Sequence, residues 1–454
     1  MTGVTDRMDA FQRLLGPEAV WEVGPGGAID RELGAPAALA VAPADAEQCA
    51  AVLRRAREAR LKVVPWGGGQ HQRLGCPPER VDLVLVTTSM SGVVAHDVAD
   101  QTIVVRAGTR LAELLSVTRE AGQLLPLDPP GSARATIGGV VAAGVSGPLR
   151  TGYGTARDFL LGTLAAHPDG KLSRAGGRLV KNVTGFDLHR LYHGSLGSLA
   201  VLCEINLRLR PWPEDDQSML IGFDDLESFD RFLVEVRGGG PEPVAFVLAD
   251  ASSVARHDLP LPAGDPDGRY LAALRFHGSA RVVSLALSRC GRLCESAGAD
   301  FQTVLAGREQ ALAWSALREL IPDSDPDRAG AVCKLALLPI QDGISVLGGA
   351  VESLVAACAG AGQEAVVLAE PAVGLVRVGL KEPPSRELLL ALRDLAGQDG
   401  RRRLEVESAP SAWRLAEGSL AGGLPENAMA RAIKQALDEE NVLSPGRLFP
   451  GGTG

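Results

Sequence analysis

Two clusters of residues lacking side chains constrain this chain more than any other feature. The first, Pro65-Trp66-Gly67-Gly68-Gly69-Gln70, closes the β-rich run Leu61–Pro65. In the second, Pro129-Pro130-Gly131 fixes a turn and Thr136-Ile137-Gly138-Gly139 follows, with Gly144 and Gly147 beyond it. Without a Cβ the backbone can approach a partner closely, and successive N–H groups can converge on an anion such as a diphosphate. Each cluster alone reads equally as a turn or as backbone packed on backbone; two in one domain are harder to dismiss. No Gly-Lys-Ser/Thr follows the first, which excludes a phosphate loop of the nucleoside-triphosphatase kind. No G-x-G-x-x-G stands between a strand and a helix and no G-x-S-x-G elbow occurs, so neither a nicotinamide site nor a hydrolase elbow is supported.

Two further segments carry chemistry. Arg157-Asp158 stands before the apolar Phe159-Leu160-Leu161, where a polar pair either orients a ligand or pairs with itself. The run Lys181–Glu204 holds a short helix through Tyr192, which Thr184 or Asp187 can cap and Gly194 can end in the left-handed conformation. The loop Gly194-Ser195-Leu196-Gly197-Ser198 and the strand Leu199–Leu209, which contains Ile205, follow. His189 and His193 share the spacing of two ligands on a helix face, but the zinc-protease pattern needs Glu where Arg190 stands. No metal site is expected.

The 454 residues are 46% hydrophobic with a net charge of -9, mixed along the chain. That length predicts two to three domains, and the lack of a basic patch excludes nucleic acid as a partner. Seven cysteines form no CxxC and no iron–sulfur run, so they read as packed thiols in a reducing compartment. The N-terminus has no apolar signal region and no stretch is long enough to span a bilayer, so a cytoplasmic protein is expected, at most peripheral at the inner face of the membrane.

Periodicity gives a helix at Ala46–Ala59, strands at Val81–Val86, Val93–Ala95 and Thr102–Arg106, and a helix at Gly108–Ala121 capped by Thr109 and ended by Gly122. Pro211-Trp212-Pro213 and the acidic residues after it read as a linker. Beyond it, strands at Met219–Phe223, Val244–Leu248, Tyr270–Phe276, Ala331–Leu338, Ala365–Leu368, Val373–Leu380 and Leu404–Glu407 alternate with helices at Leu226–Val236, Val282–Ser296, Ser345–Ala359 and Arg386–Ala396. This predicts an antiparallel sheet with helices on one face. A terminal helix, Asn427–Leu437, precedes a turn-rich tail, and no repeat of solenoid period stands out.

In this order the segments PWGGG, PPGSARATIGGVVAAGVSGP, RDFLLGT and GGRLVKNVTGFDLHRLYHGSLGSLAVLCEI, with the tail near Ser444-Pro445-Gly446-Arg447, resemble the FAD-binding proteins of the vanillyl-alcohol oxidase / p-cresol methylhydroxylase family, in particular the flavoprotein subunits of glycolate-type 2-hydroxyacid oxidoreductases. The resemblance implies an α+β fold: residues 1–212 form a PCMH-type FAD-binding domain of two subdomains, 213–408 a ferredoxin-like α+β cap, and 409–454 a segment returning to the flavin. It places FAD against Trp66, Gly67, Gly68, Gly69, Gln70, Pro130, Thr136, Ile137, Gly138, Gly139, Arg157, Asp158, Gly194, Ser195, Gly197 and Ile205. Relatives that bind FAD covalently carry His directly after the glycine loop; Gln70 stands there, with His71 one residue on, so FAD is expected to be non-covalent. Ser444 replaces an Asn common in relatives. The cap lacks the H-x-G-D-G-N-x-H type of run, and its histidines, His257 and His277, have no such context. Arg275, Lys334 and Arg414 are the cations available for a substrate carboxylate, and each reads as readily as a structural charge.

The resemblance thus implies the FAD-binding subunit of a glycolate oxidase (dehydrogenase) complex, with a catalytic flavoprotein subunit and an iron–sulfur subunit as partners and a small 2-hydroxyacid as substrate; its catalytic residues are not assigned. The alternatives are a self-sufficient FAD-dependent D-2-hydroxyacid dehydrogenase of the D-lactate type and a non-catalytic scaffold subunit.

Overall fold

The computed structural model describes residues 4–24, 26–177, 187–250, 270–321, 330–341, 343–396, 403–417 and 428–449. Lys181, Thr184 and His257, singled out above, lie outside these residues.

The first half is two sheets. Strands Leu39–Val41, Leu83–Val86 and Val63–Trp66 pair in parallel, with Val20–Glu22 antiparallel at one edge. Their apolar runs are nearly continuous, as strands covered on both faces require. Helix Ala46–Glu58 connects two of them. Its Asp45 cap accepts from Gln48 N at 2.8 Å, and Cys49, Val52, Leu53 and Ala56 bury its inner face. The second sheet is antiparallel, in the order Val93–Asp97, Thr102–Arg106, Val201–Arg208, Leu160–Ala166, Leu172–Gly176. Leu164, Ala166, Val201 and Cys203 from this sheet share a core with Leu39, Val63 and Leu85 from the first.

Helix Leu111–Glu120 begins after Arg110, and Thr109 does not cap it. The Thr109 hydroxyl is instead committed to Arg106 O at 2.7 Å and to the N–H of Gly92 at 2.9 Å, locking the turn before the helix. Gly122 (φ 68°) does follow the helix end in the left-handed region.

The second half is one eight-stranded antiparallel sheet built from two copies of the same unit. Asp215–Phe223, helix Leu226–Arg237, Ala245–Asp250, Tyr270–Gly278, helix Ala280–Ala297 and Phe301–Ala306 form a β-α-β-β-α-β unit. Ala331–Ala336, helix Leu347–Gly360, Ala365–Glu370, Leu375–Leu380, helix Arg386–Ala396 and Arg403–Ser408 form a second. Each has the ferredoxin-like strand order. They join through their second strands, where Leu248 faces Ala369 and Ala249 faces Leu368. The four helices named pack on one face over Phe223, Phe229, Phe232 and Phe246. The expectation of helices on one face is incomplete: a fifth helix, Gly307–Glu319, lies on the opposite face. There Ala313, Trp314 and Leu317 pack with Leu220, Val247 and Leu368, and Trp314 Nε1 donates to Ser218 Oγ at 2.8 Å.

That opposite face meets the first half. Leu149 and Tyr153 join the Trp314 cluster. Arg150 forks onto Glu370 at 2.7 and 2.6 Å, and the N–H of Gly131 donates to Glu319 at 2.9 Å. Among the described residues no helix is long and apolar enough to cross a membrane.

Candidate functional site

A cleft open to solvent lies at the carboxyl ends of the parallel strands, between the two sheets of the first half. Ligands of open sheets with parallel strands favour this end. Strand Val63–Trp66 delivers Gly67, Gly68 and Gly69 to one wall, and Thr87 follows its neighbour strand. Ala135, Thr136, Gly138, Gly139, Ala142 and Ala143 form the facing wall, and Leu196, Gly197 and Ala200–Leu202 a third.

The two glycine clusters are in contact and have different roles. An added Cβ on Gly67 would lie 2.3 Å from Thr136 Oγ1, and one on Gly68 1.9 Å from Arg134 O. Gly69 (φ 76°) turns the chain under the Trp66 ring. The N–H groups of Gly67, Gly68 and Gly69 donate to no acceptor among the described residues. Those of the second cluster are occupied: Ile137 N donates to Thr109 O (2.9 Å), Gly138 N to Ala107 O (2.8 Å) and Gly139 N to Thr136 Oγ1 (3.2 Å). The expectation that both stretches offer main-chain donors is therefore corrected. Gly67–Gly69 hold a run of free donors; residues 137–139, whose donors are occupied, shape the wall.

Trp66, Gly67, Gly68, Gly69, Gln70, Thr136, Gly138, Gly139 and Gly197 line the cleft. With its amide assigned from hydrogen-bond partners, Gln70 accepts from Arg134 Nη2 at 2.8 Å. The other expected residues do not line it. Ile137 and Ile205 are fully buried in the core between sheet and helix, and Pro130 is buried. Arg157 and Asp158 point to solvent, and Asp158 closes a capping box with Thr155 (2.7 Å to its N–H). Gly194 (φ 75°) ends its short helix as expected and donates to Val141 O at 3.0 Å; the Ser195 carbonyl accepts from Ser198 Oγ at 2.6 Å. Asp187 precedes helix Leu188–Leu191 without a side-chain capping bond.

Several residues went unforeseen. His71 and Gln72 continue the glycine loop into the cleft. Burial pushes His71 down to about 4, with Arg377 acting in the same direction, so its imidazole is neutral. Arg447 closes one end from the far terminus of the chain. It is 2% exposed and donates to Gln72 Oε1 (2.9 Å), Gln72 O (2.7 Å) and Leu74 O (2.7 Å). Ser444 ties the tail down, its N–H on Val63 O at 2.8 Å and its hydroxyl on Gly197 O at 3.3 Å.

The three cations named for a substrate carboxylate are all engaged. Arg275 forks onto Asp216 at 2.8 and 2.6 Å, and His277 and Gln310 also hold that carboxylate. Burial alone would raise Asp216, but Arg275 and His277 hold it well below the usual carboxylate range. Lys334 lies 3.2 Å from Glu405, and Arg414, buried, donates to the Arg73 carbonyl. Among the described residues no group of three His, Cys, Asp or Glu side chains could hold a metal ion.

A family model described as an FAD binding domain matches residues 37–176. Over 129 residues the chain is 43% identical to glycolate oxidase subunit GlcE of Escherichia coli (strain K12), covering 28% of this chain and 37% of that protein. It is 29% identical over 188 residues to glycolate oxidase subunit GlcD of Bacillus subtilis (strain 168), covering 41% and 40%. It is 32% identical over 196 residues to a D-lactate dehydrogenase of Archaeoglobus fulgidus, covering 43% and 44%. The matched part thus spans less than half the length of these relatives. Among solved structures, p-cresol methylhydroxylase with substrate bound superposes with a TM-score of 0.75 at 15% identity, covering 98% of this chain and 97% of that one. The 4-ethylphenol oxidase from Gulosibacter chungangensis superposes with a TM-score of 0.74, also at 15% identity and with the same coverage. At that identity the likeness shows the fold, which is the PCMH-type α+β fold expected.

Proposed function

We propose that this chain, which has the PCMH-type fold and matches an FAD binding domain over residues 37–176, is the flavin-carrying subunit of a glycolate-type 2-hydroxyacid dehydrogenase complex and passes electrons to a partner. The carrying observation is the asymmetry of the cleft. Its Gly67–Gly69 loop offers three unengaged N–H groups to an anion, while the cations expected of a carboxylate site are all held by the protein's own groups. The names of relatives, two of them glycolate oxidase subunits and one a D-lactate dehydrogenase, support the substrate class.

The residues fit FAD. Gly67–Gly69 would take the diphosphate, since an anion satisfies N–H groups that otherwise have only water as partner. Ala135–Ala143 and Leu196–Leu202 would flank the cofactor with small or apolar side chains, so that planar rings can lie against them. When bound, FAD supplies a two-electron acceptor; the protein positions it and excludes water. Residues 1–212 would bind it, 213–408 would cover it, and 409–454 would close the site through Arg447. With Gln70 directly after the glycines, the flavin is held without a covalent bond. A related catalytic flavoprotein subunit and an iron–sulfur subunit are the partners this reading requires, because no iron–sulfur motif lies in this sequence.

The test is purification of the chain alone and with its genomic neighbours co-expressed. The expected result is yellow protein whose flavin is released by acid, with glycolate-dependent dye reduction only in the co-expressed preparation. Full turnover by the isolated chain would establish the self-sufficient dehydrogenase instead. A colourless chain that takes up no added FAD would leave only the scaffold reading.

A further inference from the structure

The face of the cap turned toward the glycine loop carries a compact row of four charges. Lys334 stands opposite Arg377 on one side and Glu405 on the other in the strand register. Their chain neighbours Cys333, Leu335, Val376, Val378 and Val406 pack under the helices, so strand alternation puts the charged side chains on the other face. Glu407 joins them through an irregularity: the ladder shifts so that Val332 faces Ser408 while Cys333 faces Val406, leaving Glu407 as the extra residue of a bulge. Bulges re-aim side chains in this way.

Glu407, 5% exposed, accepts a hydrogen bond from Arg377 Nη2 at 3.1 Å and is ion-paired with Arg377 Nε at 3.0 Å and Lys334 Nζ at 3.6 Å. Lys334 also reaches Glu405 at 3.2 Å. The row faces the segment that continues the glycine loop: Arg377 and Glu407 both act electrostatically on the buried His71 ring, and Glu405 on Cys76 and Arg414. His71 itself lines the cleft. Two cations on the face of the cap that meets His71, a residue of the cleft wall, would be a receptor for a small carboxylate, and here two built-in carboxylates neutralise them.

We propose that Glu407 is an internal carboxylate that fills this cation site, so that the cleft rejects small free carboxylates. The inference rests on the flavin-carrying reading and deepens it: the 2-hydroxyacid is oxidised elsewhere in the complex, and this subunit exchanges electrons without binding that acid. A free carboxylate must displace Glu407, which the strand holds at high effective concentration. Replacing the charge while keeping the shape removes one carboxylate from Arg377, the residue type best suited to forked carboxylate recognition.

The test uses the flavin-loaded full chain as wild type, Glu407→Gln and Glu407→Asp, titrated with oxalate, glycolate and the neutral ethylene glycol while the visible flavin spectrum is followed. Glu407→Gln is expected to bind oxalate at least about tenfold more tightly than the wild type, since removing a like charge at close range changes affinity by one or more decades. Glu407→Asp keeps the charge and should behave as wild type, and ethylene glycol should not distinguish the three. Equal oxalate affinity in wild type and Glu407→Gln overturns the proposal, as does an equal gain for ethylene glycol. If Glu407→Gln does not hold flavin, the wild type decides: a saturable response at micromolar oxalate overturns the proposal, and none at millimolar oxalate upholds it. A wild-type chain that neither retains nor takes up FAD overturns the flavin reading, and this one with it, and flavin content reports that separately.

Discussion

At the scale of single residues, the site is made by missing side chains and one buried cation. Gly68→Val is the sharpest probe, because its Cβ alone would lie 1.9 Å from Arg134 O, a backbone atom that cannot swing away. Such overpacking costs about 1–3 kcal/mol and here separates the two walls of the cleft. Flavin retained per chain should fall at least about tenfold, measured by absorbance after gel filtration. Arg447→Met should leave the carbonyls of Gln72 and Leu74 unpaired, at about 1–3 kcal/mol for each buried acceptor so orphaned; urea unfolding measures it. The glycine positions were legible in the sequence because glycine runs have few uses. Arg447 was not, since nothing short-range distinguishes a buried closing arginine from a surface one. Arg157 and Asp158 illustrate the reverse: a polar pair before an apolar strand turned out to be a helix cap facing water.

At the scale of elements, helix Ile137–Ala143 is set by Thr136, whose hydroxyl accepts from Gly139 N. Thr136→Ala should cost about 1 kcal/mol, seen as a lower Tm, while Thr136→Ser restores most of it. Strands and helices with clear apolar periodicity were readable within a few residues, as helix Ala46–Glu58 shows. Phe301–Ala306 and Gly307–Glu319 were not read. That strand lies at the sheet edge with most of its side chains at least partly exposed, and the helix begins after Ala306 with no side-chain cap, so neither gives a boundary signal. The doubling of the cap unit escaped for a different reason: the two copies share strand order and not residues, and topology without sequence likeness leaves no period to detect.

At the scale of the whole molecule, the seam between the halves is polar and partly titratable. Asp128 sits there fully buried, accepting from Leu149 N at 3.2 Å, and burial pushes its carboxyl up to about 7. The folded chain therefore holds this proton more tightly than the unfolded one, whose ordinary value is 3.8. Its contribution to stability is full below that value and is lost as pH rises through about 7. The stability of the wild type relative to Asp128→Asn should fall between about pH 4 and about pH 7; a difference that rises across that window contradicts it, and His71, held down to about 4, acts in the opposite direction in both proteins. Glu370→Gln loosens the Arg150 fork across the same seam and should destabilise by about 1–3 kcal/mol, as loss of a charged hydrogen-bonded partner does.

The claim beneath all of this is that the free N–H groups of Gly67–Gly69, set against a wall whose Ile137, Gly138 and Gly139 donors are taken, hold the diphosphate of FAD. A crystal structure of the flavin-loaded chain tests it directly. The expected result is diphosphate oxygens at about 2.7–3.2 Å from the nitrogens of Gly67, Gly68 or Gly69, with the Gly138 N–H still on Ala107 O. A diphosphate bound away from that loop, with the three glycine N–H groups facing only water, would contradict it.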